Sequence, residues 1–390
     1  MRLAIVTTHP IQYNAPLFVL LAKEPLLQVK IFYTWPQAVQ QKKFDPGFGK
    51  VIEWDIPLLE GYEYSFVENT SPAPGSHHFK GIINPKLNTE IEKWDADAVL
   101  VYGWAFSSHL KCLRYFHGRK LVLFRGDSTL LDETPGIKTF LRRIFLKWVY
   151  RHIDYALYVG ENNRQYFLKH GLAQKQLLYA PHAIDNKRFS DAGRGYANEG
   201  LAIRKKLGVA EGDVLLLFAG KFEKKKNPFF IINLMKKIKD KRLKALFAGN
   251  GELEQQLKDE ARGDERVLFM GFQNQQQMPA VYRAADLFIL PSKGPGETWG
   301  LAINEAMACG IAVAASNKAG GAVDLIDNNV NGLVFDAAGY ADVEMFLENA
   351  LQNKNILQAM GRQSSAKVAR FSFENIAKPI AMLAENYKKK

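Results

Sequence analysis

Two glutamates, Glu297 and Glu305, bracket the start of a predicted helix, Leu301–Cys309, which Gly310 stops. Ahead of it run a strand, Asp286–Leu290, and a Gly/Pro-rich loop, Lys293-Gly294-Pro295-Gly296-Glu297-Thr298-Trp299-Gly300. Strand, loop and helix in this order make an anion site. First-turn N–H groups near Trp299, Gly300 and Leu301 have no intrahelical partner, and the macrodipole adds roughly half a positive charge. Phosphate is the natural guest. A carboxylate beside a phosphate would repel it, so each glutamate must face hydroxyls of a sugar or ribose; taken alone, Glu305 reads equally as an ordinary exposed helix residue. Positive charge comes from another strand end, Val214–Ala219, which continues through Gly220 to Lys221 and Lys226. Both lysines can reach one diphosphate as point charges. The bland alternative is a solvated lysine loop.

The first half offers less ordered candidates. The first strand, Leu3–Thr7, leads into His9-Pro10-Ile11-Gln12-Tyr13-Asn14-Ala15-Pro16, where Asn14 can cap the next helix and Pro16 fits its first turn. His9, Gln12 and Tyr13 are candidate acceptor contacts, with His9 equally readable as a turn residue. Arg125-Gly126-Asp127 follows the strand Leu121–Phe124, and Tyr102-Gly103-Trp104 follows Ala98–Val101, so that Trp104 can stack on a sugar ring or be a partly buried aromatic. Asp95-Ala96-Asp97 has metal-binding spacing but precedes its strand, the wrong side of a parallel sheet. His77-His78 is at most an adventitious metal binder. No metal site is expected.

These residues must be positioned by something. Short apolar runs alternate with amphipathic stretches along all 390 residues, the pattern of parallel sheets covered by helices, repeated twice. We read residues 1–192 as one Rossmann-like domain, 193–212 as a linker with a short helix near Leu201–Leu207, 213–370 as a second such domain, and 371–390 as a closing helix free to pack back across the junction. Two such sheets facing each other would put their strand carboxyl ends on a shared cleft. With 47% hydrophobic and 24% charged residues the chain is neither disordered nor fibrous. Two cysteines, Cys112 and Cys309, are too few for a disulfide framework, which points to a reducing compartment. The N-terminal apolar run is too short for a signal-peptide core, and no span suits a membrane crossing. A net charge of +12 favours an anionic partner, with basic clusters at Lys224–Lys226, Lys236–Lys244 and Lys388–Lys390 that ordinarily are solvated faces.

The order of motifs resembles a known family. Gly220-Lys221…Lys226-Asn227, Leu246-Phe247-Ala248-Gly249-Asn250-Gly251, Val267…Gly271-Phe272, Tyr282…Pro291-Ser292, Glu297…Glu305…Gly310, Gly320-Gly321 and Asn331-Gly332 resemble retaining glycosyltransferases of family four, with the GT-B fold of two Rossmann-like domains facing a central cleft. The resemblance covers nearly all of the second domain. It implies that Glu297 contacts the transferred sugar, Glu305 binds ribose hydroxyls, Lys221 and Lys226 hold the diphosphate, and backbone near Gly271-Phe272 receives the base. Lys221 stands where the family usually has Arg, and Trp299 where Phe is commoner. In the first domain only Val159–Asn163 with His170-Gly171 and Pro181-His182-Ala183-Ile184-Asp185…Phe189 match, the last where Asn-Gly-Val-Asp is commoner; Ala183 for Gly argues against a positive φ there. Arg125 and Asp127 lie where many relatives place a catalytic-site His, and His9-Pro10-Ile11-Gln12-Tyr13 resembles enzymes of surface-polysaccharide assembly.

The resemblance implies a metal-independent, retaining transfer from a nucleoside-diphosphate sugar of UDP or GDP type, with no other cofactor, to a glycan or lipid-linked hydroxyl. A basic amphipathic face at Thr139–His152, carrying Arg143, Lys147 and Arg151 beside Phe140, Ile144 and Trp148, suggests a cytoplasmic protein peripheral on an anionic membrane; the alternative is an ordinary core-facing helix. A nucleotide-sugar 2-epimerase or a non-catalytic nucleotide-sugar-binding protein are the rival readings. No nucleic-acid signature is present.

Overall fold

The computed structural model describes residues 1–40, 44–45, 50–51, 54–191 and 193–387. Lys388–Lys390, read above as a basic cluster, lie outside the described residues. The chain divides into two compact units, residues 1–43, 57–182 and 373–390 in the first, and 44–56 with 183–372 in the second.

The first unit carries a seven-stranded sheet ordered Glu63–Phe66, Gln28–Tyr33, Arg2–Thr7, Ala98–Tyr102, Leu121–Arg125, Tyr155–Tyr158, Leu177–Tyr179. The second carries six strands ordered Val267–Met270, Leu243–Ala248, Val214–Ala219, Leu287–Leu290, Ala312–Ser316, Gly332–Phe335. Every pairing in both sheets is parallel. In each, the first strand of the unit is flanked by the second and fourth, so the order reverses beside it. This is the doubly wound Rossmann-like arrangement, with a switch point at that reversal.

A parallel strand covered on both faces must be apolar throughout, not alternately. Val214–Ala219 is buried at all six positions, and Leu3–Thr7 at all five. Phe218, Phe247, Leu287 and Ile289 build the second core with Phe230 and Met235 of the helix Phe229–Lys237, while Val6, Val99, Phe124 and Leu146 anchor the first. Each such side chain stabilises by about 1.5–3 kcal/mol when buried.

Two strands of the first sheet lie outside the sequence reading. Glu63–Phe66 is an edge strand with exposed polar positions, and Leu177–Tyr179 has three residues, so neither carries a long apolar run. In the segment read as a linker with a short helix near Leu201–Leu207, the helix runs longer and earlier, Tyr196–Lys206, and groups with the second unit. Gly200 meets the helix Met278–Ala284 so closely that a Cβ there would stand 3.0 Å from the Ala284 nitrogen. Arg204 bonds Asp286 at 2.8 Å and the carbonyls of Ala284, Ala210 and Asp213. Its polar composition serves contacts, not freedom. The last helix, Phe373–Asn386, groups with the first unit, where it packs on Ala15–Leu21.

Much of the positive charge is paired. Lys236 bonds Glu260, Lys237 stands 3.1 Å from Glu344, and Lys354 stands 3.0 Å from Asp286.

Candidate active site

At the switch point of the second sheet, Val214–Ala219 and Leu287–Leu290 are neighbours, with Leu216 opposite Leu287. Loops leaving two such strands part to opposite faces and open a crevice. Gly220, with φ +144°, turns the first loop out of its strand toward Lys221; Lys224–Lys226 form a short 3-10 turn, and left-handed Asn227 hands the chain to the next helix. The second loop passes Pro291 and fully buried Ser292 to reach Glu297. The two loops meet: Lys226 Nζ lies 2.6 Å from Glu297 Oε2, with only 16% and 10% of the side chains exposed. Ser292 Oγ donates to the same oxygen at 3.2 Å, and the Lys293 N–H bonds the Lys225 carbonyl at 2.9 Å. An ammonium has three protons, so Lys226 can hold Glu297 and still offer two to an anion. The carboxylate is thus neutralised where phosphate would otherwise be repelled.

Gly300 opens the helix Leu301–Ala308 in the left-handed region, φ +94°, where a Cβ would approach Leu290 Cδ2 to 2.9 Å. Only glycine lets the helix start this close to its strand. Among the described residues nothing accepts from the amides of Leu301 and Ala302, the orphan donors of a helix mouth. Glycines 320 and 321 close the loop from the other side, bonding the carbonyls of Glu297 and Trp299 at 2.9 and 2.8 Å.

Several expectations change. Glu305 is no exposed helix residue: it is 4% exposed and accepts from the Tyr282 hydroxyl at 2.7 Å. A carboxylate cannot be buried without such partners. The Trp299 indole, also 4% exposed, donates to Asn304 at 2.8 Å and covers Gly321, so this side chain packs within the loop. The Phe272 amide, implied as a base receptor, bonds Asn250 Oδ1 at 2.8 Å, and the Gly271 carbonyl accepts from Gln273. Asn250 is oriented in turn by Glu254 at 2.7 Å. Gly249-Asn250-Gly251 gains a packing reason, since a Cβ on Gly249 would stand 2.0 Å from the Gly220 oxygen.

The first unit uses its candidates mostly for itself. His9 bonds Thr8 at 3.0 Å and packs edge-on to Trp35, ring centres 5.3 Å apart; Gln12 is buried and Tyr13 half-buried. Asn14 sits at the helix start, but its side chain makes no cap bond, while Pro16 occupies the first turn as expected. Trp104 packs edge-on to Phe145 at 5.4 Å against the core, which makes it the partly buried aromatic rather than an open stacking platform. Arg125 is 5% exposed and donates to the carbonyls of Ala180 and Pro181 at 2.8 and 3.1 Å. Burial pushes its guanidinium below the ordinary arginine range, and Tyr102 and Asp127 oppose the shift. It is a strut for the loop behind it. Asp127 keeps a half-exposed side chain, 3.6 Å from His182 Nε2. Asp95 and Asp97 belong to the amino end of the sheet, where Asp97 accepts the Arg2 N–H at 2.8 Å. Among the described residues no three His, Cys, Asp or Glu side chains gather as metal ligands.

Sequence reasoning missed Tyr282 and Ser292 as partners of the glutamates, and His182 as a partner of Asp127. Only His182 left a signal, standing where the resembled motif has Asn.

The fold is that of GT-B glycosyltransferases: two parallel-sheet Rossmann-like domains. Over 99% of this chain and 100% of theirs, it is similar to Anabaena HepE in complex with UDP, TM-score 0.73 at 16% identity, and to WaaG, a glycosyltransferase involved in lipopolysaccharide biosynthesis, TM-score 0.67 at 14% identity. Residues 201–367, all in the second unit, match the family model "Glycosyl transferases group 1". Among curated relatives, a D-inositol 3-phosphate glycosyltransferase of Corynebacterium kroppenstedtii is 30% identical over 195 residues, 47% of this chain and 43% of that one. The UDP-Gal:alpha-D-GlcNAc-diphosphoundecaprenol alpha-1,3-galactosyltransferase of Escherichia coli is 28% identical over 218 residues, 53% of this chain and 52% of that one. The chain spans about half the length of the curated relatives it matches.

Proposed function

We propose that the protein transfers a sugar from a nucleoside-diphosphate sugar to a hydroxyl of a glycan or lipid-linked acceptor, retaining the anomeric configuration and using no metal ion, in the assembly of cell-surface glycans. The observation that carries this reading is the Lys226–Glu297 pair at the switch point, beside the open amides of Leu301 and Ala302. In the reaction the bond from C1 to the diphosphate oxygen breaks, C1 bonds the acceptor oxygen on the same face, and the acceptor proton goes to the departing phosphate. Lys226 and Lys221, with the helix mouth, stabilise the growing diphosphate charge without reorganising. Glu297 positions the sugar, and Glu305, held by Tyr282, meets the ribose hydroxyls. That the similar HepE was crystallised with UDP supports the UDP type, with the GDP type as the alternative donor.

Thermal-shift measurement with UDP, GDP and their hexose derivatives tests the donor, because a site ligand raises the melting point by mass action. A rise with one nucleotide type, and a product of unchanged anomeric configuration, are expected. No rise with any of them sinks the proposal.

The same reading includes an anionic membrane surface. The helix Ile137–Tyr150 turns Ile137, Phe140, Leu141, Ile144 and Phe145 to solvent, with Lys138, Arg142 and Lys147 exposed beside them. The face is not the one expected, for Trp148 is half-buried on the core side and Arg143 bonds Glu133 at 2.7 Å. Apolar residues rimmed by cations suit a lipid interface. No helix among the described residues is long and apolar enough to cross a membrane. Flotation with phosphatidylglycerol vesicles at low salt should carry the protein; vesicles of phosphatidylcholine should not.

A further inference from the structure

We infer that Trp54, carried by a segment of the chain's first half that belongs to the second unit, is the stacking surface for the base of the nucleoside diphosphate, at the end of a track of three glycines. The inference rests on the glycosyl-transfer reading and adds to it the side chain that meets the base.

A glycine stands directly after each of three neighbouring strands: Gly220 after Val214–Ala219, Gly249 after Leu243–Ala248 and Gly271 after Val267–Met270. Ala219 pairs with Ala248, and Ala248 with Met270, so the three stand level at the carboxyl ends, where open parallel sheets take their ligands. Lacking Cβ atoms, they make a bare strip of backbone. It starts beside Lys221 and ends at Phe272, two strand spacings or about 10 Å away, a gap that a ribose and two phosphates can bridge. Gly220 and Gly249 answer to the fold, with φ of +144° and +145° and the Gly220 oxygen 2.0 Å from a Cβ on Gly249. Gly271 does not. It is exposed, its φ lies outside the left-handed region, and among the described residues a Cβ there would meet nothing nearer than Asn250 Oδ1 at 4.0 Å. A glycine that neither strain nor packing demands suits close approach of a ligand to the backbone.

Trp54 stands at this end. Residues 44–56 fall in sequence between two strands of the first sheet, Gln28–Tyr33 and Glu63–Phe66, yet group with the second unit. Asp55 holds the segment: its carboxylate accepts the Gln276 N–H at 3.1 Å, and its carbonyl accepts from the Gln276 side chain at 2.5 Å. Trp54 is half-buried, its ring centre 6.5 Å from that of Phe272 with the planes at 54°. Rings tilted in this way touch without stacking, so Phe272 does not take up the indole face. Phe272 is fixed in turn, since Asn250 accepts its N–H at 2.8 Å and Glu254 holds Asn250 at 2.7 Å. A base that reaches the end of the strip lays its π-face on the indole, an attraction open to pyrimidines and purines alike.

The test compares UDP and GDP with pyrophosphate, which carries the charge and lacks the base, by thermal shift and calorimetric titration of the whole chain. Trp54→Ala should lower affinity for the preferred nucleotide about tenfold or more and leave that for pyrophosphate within about twofold. Trp54→Phe keeps an aromatic face and should recover most of the loss, while removing part of the quenching of tryptophan emission that the nucleotide causes in the wild type. Gly271→Ala should weaken the nucleotide and spare pyrophosphate, with an unchanged melting point for the unliganded protein. Unchanged nucleotide affinity in Trp54→Ala, or equal losses for nucleotide and pyrophosphate, overturns the inference and leaves the transfer reading standing. Should Trp54→Ala not fold, Gly271→Ala carries the same comparison, and equal losses or none overturn the inference. A wild type that neither nucleotide nor any sugar nucleotide stabilises refutes the transfer reading, and the inference falls with it.

Discussion

The two sheets share one strand order, yet their switch points are furnished in opposite ways. In the second, the loops after Val214–Ala219 and Leu287–Leu290 bring an ammonium to a carboxylate and leave helix amides open. In the first, the loops after Arg2–Thr7 and Ala98–Tyr102 are filled with aromatic packing, His9 on Trp35 and Trp104 on Phe145. Its polar chemistry lies one to three strands further on, at Arg125, Asp127 and His182. One fold grammar thus supports a charged crevice where glycines let backbones approach, and a packed plug where aromatics do not. All eight histidines lie in residues 1–182, so acid chemistry is as unevenly divided as phosphate chemistry.

The largest test of this contrast is Lys226→Ala. It strands the Glu297 carboxylate and should lower turnover of the sugar nucleotide by about 100- to 1000-fold, measured as diphosphate release, and abolish the thermal shift by UDP or GDP. Trp104→Phe in the other switch point should leave that shift intact. If both variants behave alike, the comparison fails.

Next is Gly249→Ala. At φ +145°, with a Cβ forced to 2.0 Å from the Gly220 oxygen, it should cost about 3 kcal/mol in urea unfolding. Amide exchange should show the loss in the second unit.

Acid should discriminate the units in the other direction. His109 is wholly buried between Thr34 and the carbonyls of Tyr102 and Gly103, and burial lowers its pKa to about 4. A histidine whose folded value lies below its unfolded value of 6.5 contributes fully above pH 6.5. That contribution declines as pH falls toward 4, because the unfolded chain then binds the proton more readily, and reaches about 3 kcal/mol lost. Amide exchange at pH 7.5 and 5 should show the loss in residues 1–182 and spare residues 183–372. Equal loss in both would break the contrast.

The smallest expected effect is Tyr282→Phe, which removes one bond to Glu305 and should raise the sugar-nucleotide KM about tenfold, near 1.4 kcal/mol, with kcat little changed. A kcat effect without a KM effect would move Glu305 from ribose binding to the reacting sugar.

Much of this molecule was legible in its residues. The strand Val214–Ala219 was located to the residue because a covered parallel strand must be apolar along its whole length. The helix from Leu301, its glycine start and Gly310 stop were equally local. The edge strand Glu63–Phe66 was not, since an edge can be half polar. The helix Tyr196–Lys206 was legible only in part, as a short helix near Leu201–Leu207, because its other polar residues look like a linker until Asp286 is beside Arg204.

What the sequence determined alone was therefore everything set by neighbours along the chain: runs of burial, turn chemistry, and the motif order that resembles family-four glycosyltransferases. The tertiary structure alone decided which charges are partnered. Lys226 and Glu297 are 71 residues apart, Tyr282 and Glu305 23, and Asp127 and His182 lie on strand ends with another strand between them. Hydrophobic patterning has a period that can be read in a window of residues; electrostatic pairing falls off over a few ångströms of space, and only the folded chain sets those distances.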